Sequence, residues 1–239
     1  MTDRLHELEL LQQRVVACTR CPRLVSYIAK VAREKRRMYR DEPYWGKPLE
    51  SFGDPGAGLL ILGLAPAAHG GNRTGRMFTG DRSGDFLYRA LYEAGFASQP
   101  ESRRRDDGLH LTGCYITAAL RCAPPKNKPA PAELRHCQPY LEDELRLLPQ
   151  IRAVLALGRI AFDAYLRLVY AGSAGGKVCP ENLPPRSPLI FGHGASYTLP
   201  GALPHLFASY HPSQQNTQTG KLTPPMMRKL LLDIRRFLQ

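Results

Sequence analysis

Four short apolar runs punctuate the chain: GLLILGLAP at 58–66, GCYITAALRC at 113–122, RAVLALG at 152–158 and PHLFASYHP at 204–212. Each is nearly continuous rather than alternating and is bounded by Gly or Pro, the pattern of a strand buried on both faces of a sheet. Between the runs the apolar spacing shifts to the helical period. SGDFLYRALYEAG (83–95) groups Phe86, Leu87, Ala90 and Leu91, with Ser83 as N-cap and Gly95 as C-terminal stop. APAELRHCQPYLEDELRLL (130–148) and RIAFDAYLRLV (159–169) read likewise. The closing TPPMMRKLLLDIRRFLQ sets Met227, Leu230, Leu231, Ile234 and Leu238 on one face, behind Thr223. Alternation of strand and helix predicts an α/β fold, three layers (α/β/α) around a mainly parallel four-stranded sheet. One domain over 1–239 is expected, with the Gly/Pro-rich stretch 171–201 as an irregular insertion before the last strand.

That order says where a site belongs. In open α/β sheets ligands bind beyond the carboxyl ends of the strands. The segments there are APAAHGGNRTGRMFTGD, RCAPPKNKPAP, GRIAF and YHPSQQNTQTG. The last carries one His and a run of amides and hydroxyls without a formal charge, in a chain with 33 Lys+Arg.

Charge narrows the partner. The net charge is +12, and the excess clusters at 32–40 (AREKRRMYR), 101–105 (ESRRR) and 228–236 (RKLLLDIRR). Clustered basic charge favours a polyanion, because phosphate contacts release counterions. No run reaches the roughly 20 apolar residues of a membrane span, and the first residues hold acids and no signal-peptide core, so the cytoplasm is expected. GSAGGKV lacks the spacing and the Ser/Thr of a P-loop, and no G-x-S-x-G elbow occurs.

Six cysteines stand at 18, 21, 114, 122, 137 and 179. Cys18 and Cys21 form a C-x2-C pair, whose usual cause in a reducing compartment is a metal. With Cys122 and Cys137 they make a four-thiolate set that suits zinc or a [4Fe–4S] cluster, and spacing does not choose between them. Cys114 falls inside a strand-like run and reads as a small core residue; Cys179 has no assignment.

Four segments together resemble the iron–sulfur branch of the uracil-DNA glycosylase superfamily, specifically its family 5. They are CTRCPRLV (18–25), GLAPAAHGGNRTGRMFTGDRSG (63–84), RCAPPKNKPAP with HCQPYL (121–141) and HPSQQNTQTG (211–220). The resemblance implies a [4Fe–4S] cluster on Cys18, Cys21, Cys122 and Cys137. It also implies excision of uracil, and often of other deaminated bases, from single- or double-stranded DNA by a monomer in the prokaryotic cytoplasm and nucleoid. The target nucleotide must leave the stack to be reached. His211 would then donate a hydrogen bond to the charge developing on the base. Phe78 matches the aromatic on which the base stacks, and Gly63, Ala65 and Ala67 let backbone approach the sugar.

The segment departs from other branches, which place Asp, Asn or Glu just after the first strand. Here Ala65-Pro66-Ala67-Ala68-His69 offers no carboxylate. Asp81 is the nearest acid and the candidate to position water; capping the next helix competes with that role, and Ser83 and Asp85 compete for the cap. His69 and Asn72 are further polar candidates. Ala118 stands where the related family 4 carries a base-reading Asn, and Asn127 could supply the amide instead, which predicts hypoxanthine and xanthine as further substrates. Gln214, Gln215, Asn216 and Gln218 are expected to probe DNA. The competing readings are a non-catalytic Fe–S or zinc nucleic-acid-binding module and a small-substrate α/β hydrolase.

Overall fold

The computed structural model describes residues 2–172, 183 and 185–239. In chain order the first elements are α1 (Thr2–Val16), α2 (Pro22–Glu34), β1 (Phe52–Gly53), β2 (Leu59–Gly63), α3 (Gly71–Thr74), α4 (Arg82–Glu93) and β3 (Cys114–Ala118). There follow α5 (Pro131–Leu147), β4 (Ala153–Leu157), α6 (Arg159–Tyr170), β5 (Ser196–Tyr197), β6 (His205–Ser209), α7 (Gln214–Gln218) and α8 (Pro224–Leu238).

The four apolar runs are β2, β3, β4 and β6. They lie parallel and adjacent in the order β3-β2-β4-β6, and apart from His205 every residue in them is buried. Six strands rather than four make up the sheet. Two-residue antiparallel strands, β1 beside β3 and β5 beside β6, close its edges, where short strands limit pairing with other chains. β5 lies inside 171–201, so that stretch is not irregular throughout: Phe191, Tyr197 and Leu199 pack on the core. Cys179 lies outside the described residues.

Side chains alternate across the sheet with the strand period of two. Leu60 and Leu62 join a core with α1, α5 and α6, while Leu59 and Ile61 join a second core with α4 and α8. That gives the expected three layers. Met227, Leu230, Leu231 and Ile234 of α8 are buried as their spacing predicts. A third, small cluster beyond the sheet seats Leu24 and Ile28 of α2 against Leu120, Cys122 and Ala123.

Helix ends show one correction. The N-cap of α4 is Asp81, not Ser83: its Oδ1 accepts from Ser83 N at 2.9 Å and Gly84 N at 3.0 Å. α5 starts at Pro131, where the lost amide costs nothing, and Glu133 reaches back to accept from Ala130 N at 2.7 Å.

Candidate active site and metal centre

The loops after β2, β3 and β6 converge at the carboxyl edge of the sheet and, with the chain that follows α2, line a cavity of about 990 Å³. Phe78, His211, Asp81, Asn127, His69, Ala65 and Ala67 all face it. Gly63 ends β2 directly beneath Phe78. A methyl group there would meet the ring at 2.9 Å, so only glycine lets the ring settle on the strand end. Phe78 itself holds a left-handed backbone (φ 51), and its ring stacks on His211 with centroids 5.8 Å apart and planes 29° from parallel.

His211 follows the end of β6, and its carbonyl accepts from Asn216 Nδ2 at 2.8 Å. Burial pushes the imidazole pKa down to about 4, so the ring is neutral at pH 7. The polar run behind it folds into α7 and largely serves its own backbone. Thr217 and Thr219 hydroxyls donate to the carbonyls of Ser213 and Gln215. Gln214 and Gln215 line the cavity, whereas Asn216 ties down His211.

Asp81 serves two ends of one carboxylate. Its Oδ1 caps α4, while Oδ2 lies against Gly70, where a methyl group would stand 2.1 Å away. Burial raises its pKa, opposed by the amides of Gly84 and Ser83. It is the one acid among the described residues that line the cavity. His69 pairs through Nδ1 with Tyr44 Oη at 3.0 Å, and burial, with Arg36 and Arg73 nearby, lowers its pKa. Lys126 and Asn127 both adopt left-handed backbone (φ 54 and 55), turning the loop into the cavity. Ala118 is buried at the end of β3, paired with Gly63.

Asn72 lies elsewhere. It is fully buried behind the loop, its Nδ2 shared between the carbonyls of Ile28 and Ala68 at 3.3 Å, so it ties α2 to the loop instead of facing the cavity. Conversely, Tyr27, Arg36, Met38 and Tyr39 line the cavity without having been singled out in the sequence. AREKRRMYR signalled the last three only as charge, and Tyr27 carried no signal. Of the three basic clusters it alone borders the cavity; Arg103, Arg104 and Arg105, and Arg228, Lys229 and Arg236, are paired with acids.

Behind α2 a second, far smaller chamber of about 20 Å³ is ringed by Cys18, Cys21, Cys122 and Cys137. Leu24, Val25, Pro48 and Leu120 supply its apolar wall. Burial raises the thiol pKa values of Cys21, Cys122 and Cys137, and the sulfurs raise one another further. Four such thiols become thiolates only around positive charge. The four thiols are soft donors of the kind that an iron–sulfur group or a zinc ion takes. Arg121 lines the same chamber, fully buried and paired with Glu144, and its Nε has no partner within the protein.

Sequence comparison places this architecture. The profile of the Uracil DNA glycosylase superfamily matches residues 50–235. The type-5 uracil-DNA glycosylase of Thermus thermophilus is 52% identical over 228 residues, 95% of this chain and 97% of that protein. The type-5 uracil-DNA glycosylase of Mycobacterium tuberculosis is 52% identical over 218 residues, 91% of this chain and 76% of that protein. That of Pyrobaculum aerophilum is 43% identical over 218 residues, 91% and 88% of the two chains. This chain therefore belongs to the uracil-DNA glycosylase superfamily and, within it, to the type-5 group.

Proposed function

We propose that this protein is a monofunctional glycosylase that hydrolyses the N-glycosidic bond of uracil in DNA and leaves an abasic site. One observation carries the reading: His211, Phe78, Asp81 and Asn127, drawn from three separate loops, line a single cavity of a size suited to an extruded nucleotide. The base stacks on Phe78 beside His211. As the C1′–N1 bond breaks, its electron pair moves onto the base, and the neutral His211 donates a hydrogen bond to the carbonyl oxygen that takes the charge. A neutral donor suits this step, since it stabilises the anion without protonating it. Water adds to C1′, and its proton passes to Asp81, whose burial makes it a better base than a solvated carboxylate. Ala65, Pro66 and Ala67 place small side chains and backbone along the sugar.

Asn127 is an amide available to the base edge, and no polar side chain stands at Ala118. A site with so few fixed partners should also release hypoxanthine and xanthine. Cys18, Cys21, Cys122 and Cys137 would hold a [4Fe–4S] cluster, which when bound supplies a covalent clip between the α1–α2 connection, the loop after β3 and α5. Hydrolysis moves no electrons, so its role is structural. A monomer acting on DNA in the cytoplasm is the reading we adopt; among the described residues no helix is long and apolar enough to cross a membrane.

The test is alkali cleavage of a uracil-containing oligonucleotide, with hypoxanthine and xanthine oligonucleotides beside it. Strand scission at uracil is expected. A protein that retains its cluster, binds DNA and leaves every base in place would be the non-catalytic module instead.

A further inference from the structure

Met38 is the most exposed of the large apolar side chains described, at 71%, and the one among them that borders the cavity. It projects from a short 3-10 turn, Arg37–Tyr39. A single exposed apolar side chain is ordinary; what sets Met38 apart is its place at the mouth of a nucleotide-sized cavity, among exposed arginines.

The turn is braced from below. The Arg73 guanidinium packs on the Tyr39 ring, 3.9 Å from its centroid. Arg73 is itself held by Glu42 and by the carbonyls of His69 (2.9 Å) and Gly80 (2.8 Å), both of which border the cavity. Lys35 Nζ donates to the carbonyls of Arg40 (3.0 Å) and Glu42 (2.8 Å), closing the segment on itself. Arg36, Arg37 and Arg40 flank Met38, all exposed, and none is paired with an acid among the described residues. The other two basic clusters are largely neutralised by partners, as noted above.

An unpaired, exposed ring of arginines around a single flexible apolar side chain matches what a distorted duplex offers: phosphates outside, unstacked base faces within. We propose that Met38 is the wedge that enters the base stack when the target nucleotide rotates into the cavity, with Arg36, Arg37 and Arg40 seated on the flanking phosphates. The assignment rests on the glycosylase reading above. It gives the chain after α2 a stack-filling role beside the DNA contacts expected of α7, whose Asn216, Thr217 and Thr219 side chains are spent on backbone carbonyls.

A wedge matters in a duplex and has little to fill in a single strand. Single-turnover uracil release should therefore be compared on matched double- and single-stranded oligonucleotides for the parent protein, Met38→Ala and Met38→Leu. We expect the duplex-to-single-strand rate ratio to fall about tenfold in Met38→Ala, and to stay within about twofold of the parent in Met38→Leu, which keeps the apolar bulk. A second readout is 2-aminopurine emission beside an abasic site in a duplex: it should rise on binding the parent and Met38→Leu, and rise much less with Met38→Ala. An unchanged ratio and unchanged emission in Met38→Ala would overturn the proposal, as would an equal loss on both substrates. If the parent frees no uracil even from single strands, the glycosylase reading fails by itself, and the emission measurement still judges the wedge.

Discussion

The base cavity and the cysteine chamber share two stretches of chain, back to back, and differ in chemistry. On α2, Leu24 and Val25 face the chamber and Tyr27 the cavity; after β3, Leu120, Arg121 and Cys122 face the chamber while Pro124, Lys126 and Asn127 face the cavity. The chamber is lined by thiols and apolar side chains, with Arg20, Arg121 and His136 among them. The cavity is wide, open to solvent and lined by apolar and polar groups together, with one acid among the described residues. What one would do for the other is mechanical: thiols joined through a shared group would hold α2 and the loop after β3 at a fixed distance, a few residues before the left-handed turn at Lys126–Asn127. Substitutions in the cavity should therefore change rate at constant stability, whereas substitutions in the chamber should change stability first and rate through it.

The sharpest separation comes from His211→Ala. Removing one donor to a developing anion costs roughly 10²–10³ in rate, about 3–4 kcal/mol; we expect that loss in single-turnover excision, with DNA affinity within about twofold and Tm nearly unchanged. The chamber gives the opposite signature. Cys122→Ser should bleach the brown iron–sulfur absorbance and cost about 2–3 kcal/mol, a drop of roughly 5–10 °C in Tm by calorimetry. A chamber variant with full stability and lost rate would break the division.

Asp81→Asn is a smaller and more discriminating case, since Asp81 belongs to both the cavity and the cap of α4. Asn still caps a helix, so the Tm should hold while excision slows about tenfold, as for loss of a water-positioning carboxylate. A large stability loss with normal turnover would make Asp81 a cap alone.

The smallest effect is a matter of pH. His211 is held at about 4 in the fold, against about 6.5 in an unfolded chain. A depressed histidine contributes stability above pH 6.5, and that contribution drains away as pH falls from about 6.5 toward 4. Between pH 6.5 and about 5.5 the parent Tm should fall by about 2–4 °C more than that of His211→Asn. Excision should show no inflection near pH 6.5, and an inflection there would mean that the charged imidazole is the working form.

Several of these parts were legible along the chain and several were not, for one physical reason. β2, β3, β4 and β6 were visible because a strand buried on both faces leaves a local record, a continuous apolar run. His211 and Phe78 were visible through the motifs that contain them. The cap of α4 was misplaced by two residues, since Ser83 and Asp81 are equally good capping types and only the packing of Asp81 against Gly70 decides. Asn72 was grouped with the site because it is polar and near the motif, but the tertiary fold turns it beneath α2 to satisfy Ile28 and Ala68. Of the amides after His211 expected to probe DNA, Asn216 ties down the His211 carbonyl, while Gln214 and Gln215 line the cavity.

By itself, then, the sequence determined the layer order, the parallel core, the thiol set and the motif loops at one sheet edge, because each is written in local composition or period. The tertiary structure alone decided that the two-residue edge strands close the sheet, that the basic segment after α2 borders the cavity with Met38 exposed, and that thiols from three distant segments ring one chamber. Those depend on contacts between residues far apart in the chain, and no local pattern encodes which distant partner a side chain will meet.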